Sequence, residues 1–235
     1  GTSFRAKDLY LLFQNSCFRE RHGLTDEDLD LLREMIESFS VKWGVDARHK
    51  KSLGYAEDED NTWDLAFCRI VLGISMEGDE LFEGILPASS VSFSDYPRLC
   101  LLMRILKQIF ADFREISALK KPLGEWAQDC FLWTKKYLTP RENRPEDEFH
   151  ANELRAVFQD FALGEEGVLS GEKQGLSFVH FSSLLNSRLK KIMASTGRTL
   201  SDGVTVAPLR TLRAVPFKII FVLGMEEGKF PSREP

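Results

Sequence analysis

Apolar positions recur at helical spacing along most of this chain. Leu29, Leu32, Met35, Ile36 and Phe39 fall on one face, and Thr25 with Asp28 makes a capping-box start ahead of them. Thr62 can cap a second helix that turns Phe67, Ile70, Val71 and Ile74 inward. Asp95 and Pro97 open what reads as the longest helix. There Leu99, Leu102, Met103, Leu106, Ile109, Phe110, Phe113 and Ile116 keep a 3.6-residue period for about five turns. Lys120-Lys121-Pro122 ends that helix, and Leu123, Trp126, Cys130, Trp133 and Tyr137 mark the next. A polar break from Pro140 to Pro145 precedes a helix marked by Phe149, Val157, Phe158 and Phe161. A Gly/Glu-rich loop, Gly164 to Gly175, follows. Ser177 then caps a helix carrying Phe178, Phe181, Leu184, Leu185, Leu189 and Ile192.

The period changes near Gly197. Gly203 to Ala207 alternates like a strand, and Pro216 to Gly224 is a nearly continuous apolar run rich in β-branched residues. Such a run predicts a strand buried on both faces, as in a parallel α/β sheet. The expected fold class is therefore mainly α. A helical body over residues 3–200 is followed, over residues 201–235, by a short α/β piece of two strands, too short to complete a sheet of its own. No internal repeat stands at a fixed period.

The 235 residues are 43% hydrophobic and 29% charged, enough for a buried core. A net charge of −5 excludes a free-standing basic nucleic-acid binder, so any DNA contact is local or shared with partner chains. Cys17, Cys68, Cys100 and Cys130 are far apart in apolar stretches and form no CxxC pair. They read as buried free thiols in a reducing cytoplasm. No apolar run reaches 18 residues and no signal peptide is visible, so no membrane association is expected. The chain opens on Gly1-Thr2 and closes on Pro235, as expected of a piece of a longer protein.

Candidate chemistry is sparse. Gly228-Lys229 is followed by Phe230-Pro231 rather than Ser or Thr, and Gly224 stands one residue too close for a phosphate loop. His22, His49, His150 and His180 include no pair at i, i+4. Glu57-Asp58-Glu59-Asp60 are consecutive, whereas a two-metal site needs carboxylates converging from different elements, so they read as a solvated loop. No catalytic residue, cofactor site or metal ligand is expected.

Residues 203–231 resemble a late motif of superfamily 1 helicases of the UvrD and Rep type, a Thr-x-His-x-x-Lys-Gly-Leu-Glu-Phe turn between two strands that closes on Gly-x-x-x-Gly-x-x-Pro. Phe217, Gly224, Gly228 and Pro231 keep that frame. Pro208, Arg210, Arg213, Ala214 and Pro216 stand where the helicases have Thr, His, Lys, Gly and Glu. Pro208 has neither hydroxyl nor N–H, Ala214 does not take positive φ cheaply, and Pro216 removes an acid. Arg210 and Arg213 can still hold phosphates, or can pair locally.

This degenerate pattern resembles the helicase-like region of the RecC family, the gamma subunits of bacterial exonuclease V. Three further runs are similar to the family's: Arg19-Glu20-Arg21-His22-Gly23-Leu24, Val41-Lys42-Trp43-Gly44-Val45-Asp46, and Thr62-Trp63 through Arg69-Ile70-Val71-Leu72-Gly73-Ile74-Ser75-Met76. The likeness is dense to residue 90 and again from about 203. Between them Pro122-Leu123-Gly124-Glu125-Trp126 carries it. Read by themselves, Trp43 and Trp63 are core residues and Gly73 allows close helix packing.

The resemblance implies a helical accessory (2B-like) domain over residues 3–200 and a partial RecA-like segment over 201–235, folded as two strands joined by a loop. It implies a non-catalytic part of a bacterial, cytoplasmic complex with beta and alpha subunits (RecB and RecD). That complex processes DNA ends for recombinational double-strand break repair. Arg210, Arg213 and Lys218 are the expected DNA contacts, and forked or single-stranded DNA the expected ligand. The sequence leaves open two other readings: an accessory domain of an active superfamily 1 helicase, and a helical interaction module without a DNA role.

Overall fold

A computed structural model of the chain describes residues 3–76, 80–88, 93–163, 175–195 and 219–223. The chain divides into two compact units, Gly1–Leu189 and Lys190–Pro235.

The first unit opens with two short helices, α1 (Ala6–Gln14) and α2 (Ser16–His22), separated by Asn15. Asn15 accepts from the amides of Cys17 and Phe18, a side-chain cap that lets the chain turn without exposing the first N–H groups of α2. Next comes α3 (Asp26–Ser38), whose capping box is complete: the Thr25 amide donates to Asp28 and the Asp28 amide to the Thr25 hydroxyl. The short α4 (Ala47–Ser52) leads to α5 (Trp63–Ser75), capped by Thr62. Pro97 stands in the first turn of α6 (Tyr96–Phe113). Then follow α7 (Leu123–Tyr137), α8 (Pro145–Leu163) and α9 (Phe178–Ser195).

Two cores hold these helices. The larger gathers Phe13, Phe18, Leu32, Trp63, Ile70, Leu102 and Leu106 from α1, α2, α3, α5 and α6. The smaller consists of Ile116, Leu123, Trp126 and Phe181. Phe113 and Trp133 pack against both, with ring centroids 4.8 Å apart. A two-residue ribbon ties the smaller core: β1 (Lys120–Lys121) runs antiparallel to β2 (Leu176–Ser177), with Lys120 opposite Ser177. Gly175 permits that approach, since a Cβ there would stand 2.8 Å from the Lys121 amide nitrogen. The Trp126 indole N–H donates to the Leu176 carbonyl at 2.8 Å.

The helical expectation is met, with corrections. α6 stops at Phe113, and Ile116 is buried from a 3₁₀ turn, Ile116–Ala118, instead. α8, at 19 residues, is longer than α6 at 18. Val71, expected to turn inward, is exposed, because the inward face of α5 is filled by Trp63, Ala66, Phe67 and Ile70. Trp43 is half-buried rather than core, and Cys68 and Cys100 are exposed on the outward faces of α5 and α6. Ser177 pairs in β2, and its hydroxyl meets His180 Nδ1 at 3.0 Å.

The second unit gives a larger correction. Ile219 to Leu223, the centre of the expected buried strand, form no strand, and all five side chains are exposed, Leu223 to 88%. A strand exists only where a neighbour takes its N–H and C=O groups. Among the described residues nothing pairs with these five. No described helix is long and apolar enough to cross a membrane.

Candidate functional site

The expected DNA contacts Arg210, Arg213 and Lys218 lie outside the described residues, as do the rest of the helicase-like turn and Gly228-Lys229. The other motif-bearing runs are described, and the structure brings two of them together.

The run Val41–Asp46 is a backbone hub. Gly44, at φ +84°, donates its amide to Ser3 and accepts from the Trp63 amide, while Val45 accepts from Asp64 and Lys42 from Ala6. A left-handed residue is required there, and a Cβ would crowd Lys50 Cγ at 3.1 Å. One turn thereby fastens the amino-terminal segment to the start of α5, whose Trp63 indole donates to the Phe4 carbonyl at 2.8 Å.

Asp46 ends the hub with two tasks. Its carboxylate caps α4 through the His49 amide at 2.7 Å and receives both oxygens' bonds from Arg114 at 2.7 Å. Burial acts to raise this carboxyl, but the amide and the guanidinium outweigh it and hold it below its ordinary value.

The acidic run beside it is structural. Lys50, a buried lysine, donates to Asp58 at 2.6 Å and to the Asp60 carbonyl, and lies over the Trp43 ring at 5.3 Å. Glu59 accepts from the Ala47 amide and Glu57 pairs with Lys51. The four residues are exposed, as a solvated loop requires, yet three of the carboxylates are tied to α4. Among the described residues no three His, Cys, Asp or Glu side chains converge as a metal ion would need.

The remaining runs also end in structural contacts. Gly23 closes α2 at φ +63°, where the Leu24 amide reaches back to the Arg19 carbonyl, and Arg19 pairs with Asp26. Arg21 donates to the Lys136 carbonyl of α7, and Lys136 and Tyr137 both reach Asp112. Burial and Asp112 push the Tyr137 hydroxyl upward, and burial lowers His22, packed between Phe18 and Tyr137. Asp28, the buried capping-box acid, also meets Arg98 of α6 at 3.4 Å.

Arg69 and Gly73 of α5 secure a different feature. A two-residue hairpin joins Phe82 and Ile85 by reciprocal backbone bonds of 3.0 and 2.9 Å. The extended segment after it, residues 86–88, lies on α5: the Ala88 amide donates to the Arg69 carbonyl, and Arg69 Nε donates to the Leu86 carbonyl. A Cβ on Gly73 would stand 2.1 Å from the Ala88 oxygen, so glycine is obligatory there for close approach. The hairpin walls a groove of about 370 Å³ against α5 and α6, lined by Phe67, Leu72, Phe82, Ile85 and Met103. Asp64, half-buried, also lines it. Burial raises its carboxyl, with Lys107 opposing, and Lys107 lies over the Phe67 ring at 5.6 Å.

Sequence reasoning missed the Asp46–Arg114 pair, the buried Lys50 and the hairpin. Only the Glu83-Gly84 dipeptide between apolar residues hinted at the last.

Residues 1–192 match the family described as the RecBCD enzyme subunit RecC fourth domain. Curated relatives agree. The chain is 25% identical over 231 residues to the RecBCD enzyme subunit RecC of Escherichia coli, a match covering 98% of this chain and 20% of that protein. It is 24% identical over 240 residues to the RecC subunit of Mycolicibacterium smegmatis, covering 98% and 20%. It is 22% identical over 243 residues to that of Haemophilus influenzae, covering 99% and 20%. The chain thus spans about a fifth of the length of the relatives it matches.

Proposed function

Because this chain belongs to the RecC family, through the family's fourth domain, we propose that it is a non-catalytic, helicase-like portion of a RecBCD-type gamma subunit. In this reading residues 3–200 are the 2B-like accessory domain, and residues 201–235 return to a RecA-like domain whose motor side chains are lost. The whole assembly, with its beta and alpha subunits in the bacterial cytoplasm, unwinds and degrades DNA ends for recombinational repair. ATP hydrolysis and nuclease chemistry belong to a partner subunit. This portion supplies scaffold surface and helps guide a separated strand, with Arg210, Arg213 and Lys218 on its phosphates.

One observation carries the reading. Each family-like run in the described residues ends in a contact that fastens one element to another: Gly44 to Ser3 and Trp63, Asp46 to Arg114, Arg69 to Leu86, Trp126 to Leu176. In these runs the Asp46 carboxylate and the Arg69 guanidinium are committed to holding the fold rather than left open to a substrate.

The test uses the full-length gamma-type subunit, alone and with its sister subunits. The subunit alone is expected to hydrolyse no ATP in the presence of single-stranded DNA, and to assemble stably with the beta-type subunit. DNA-stimulated hydrolysis by the purified gamma-type subunit would overturn the proposal.

A further inference from the structure

The hairpin around Glu83 is fastened to α5 by both side-chain and backbone bonds. Both central residues have positive φ, +50° at Glu83 and +81° at Gly84, as a tight two-residue hairpin turn demands. Glycine adopts that conformation freely, whereas glutamate does so against steric resistance. The chain carries this strain and adds three devices to fasten the segment that follows: glycine at position 73, the Arg69 side-chain bond to Leu86, and the Ala88 bond to the α5 backbone. Arg69 is itself steadied over the Phe39 ring at 5.0 Å.

What is fastened faces outward. Leu81 is 67% exposed, Phe82 47% and Leu86 43%, and Val71 of α5 continues the patch at 47%. Large apolar side chains on a rigid, exposed support are the arrangement of a binding surface, because a preorganised surface loses little entropy on docking.

Charge selects the occupant. Glu80, just before the hairpin, and Glu83, in its turn, are exposed, and neither pairs with a cation among the described residues. Lys107, the cation of the groove, lies across it over Phe67. Two free carboxylates beside an apolar patch repel a phosphate backbone and attract Lys or Arg. Resting on the scaffold role proposed above, we infer that this hairpin and the groove behind it dock a segment of a sister subunit that carries apolar anchors flanked by Lys or Arg.

The experiment places a photo-crosslinker, Leu81→p-benzoylphenylalanine, in the full-length subunit within the reconstituted complex, with and without a forked duplex. Leu81 makes little of the core, so the variant folds. The expected product is a crosslink to a sister subunit, mapping to a segment with apolar and basic residues, and independent of DNA. A crosslink to DNA alone overturns the inference. So does an assembled complex without any intermolecular crosslink, which would leave the scaffold reading standing. A subunit that fails to assemble at all would sink both. A second variant tests the charge: Glu80→Lys with Glu83→Lys is expected to weaken association with the sister subunit by about tenfold. The loss is expected to be smaller in high salt. Unchanged affinity would refute a basic occupant.

Discussion

Asp46 ties two elements together with one side chain. Its carboxylate satisfies the first turn of α4 and, from the hub turn, grips Arg114 beyond the end of α6. Asn is an equally good cap, so Asp46→Asn isolates the ion pair. Arg114 is more than a third exposed, which keeps the expected loss near the low end for a charged hydrogen bond, about 1 kcal/mol at neutral pH. The carboxyl's folded pKa lies below its ordinary 3.8. Its contribution is therefore complete above 3.8 and fades as pH falls through the folded value. Denaturant midpoints measured from neutral pH downward should show the two proteins converging below 3.8. A constant gap across that range would mean that the pair is not ionic. Arg69 and Gly73 act differently: each is committed to backbone groups, so their part in the fold has no pH dependence to detect.

At the scale of elements, α7 lends side chains to both cores, Tyr137 to the larger and Trp126 to the smaller. α7 and α9 share the smaller one, in which Trp126 is fully buried and bonded to the Leu176 carbonyl. Trp126→Ala removes a large aromatic from that core and should cost about 3–5 kcal/mol locally. Hydrogen exchange in the full-length subunit is expected to quicken in α7 and α9 while α3 keeps its protection. Equal loss in α3 would mean that the two cores unfold as one. The starts of α3 and α5 were readable in the sequence because the Thr25 and Thr62 caps are local, one hydroxyl meeting an amide three residues on. The ribbon of β1 and β2 was not, since two-residue strands 56 positions apart carry no alternation to read.

On the scale of the whole molecule, the family model matches the helical body, while the curated RecC relatives match 98% of the chain. The family match covers residues 1–192, and Ile219–Leu223 form no strand. The proposed DNA contacts are best tested where the whole assembly is present. Replacing Arg210, Arg213 and Lys218 with alanine in the complete complex should lower affinity for single-stranded DNA. The salt dependence should flatten by roughly two units of slope, at about 0.7 per phosphate contact. An unchanged slope would remove these three cations from the interface. The candidate docking hairpin could not have been assembled from sequence, because it needs Gly73, Arg69 and Ala88 in one place, and α5 alone says nothing of what lies against it.

Amphipathic period, caps and glycine positions were enough to establish a mainly helical chain and its family-like runs, because each depends on neighbours within a few residues. What those runs are for was decided only in three dimensions. Asp46 looked like the end of a turn until Arg114 met it from 68 residues away, and the fold alone buried Lys50 against Asp58. An apolar run such as Ile219–Leu223 carries strand propensity in its side chains, but pairing is a property of the partner, and no sequence pattern within the run supplies one.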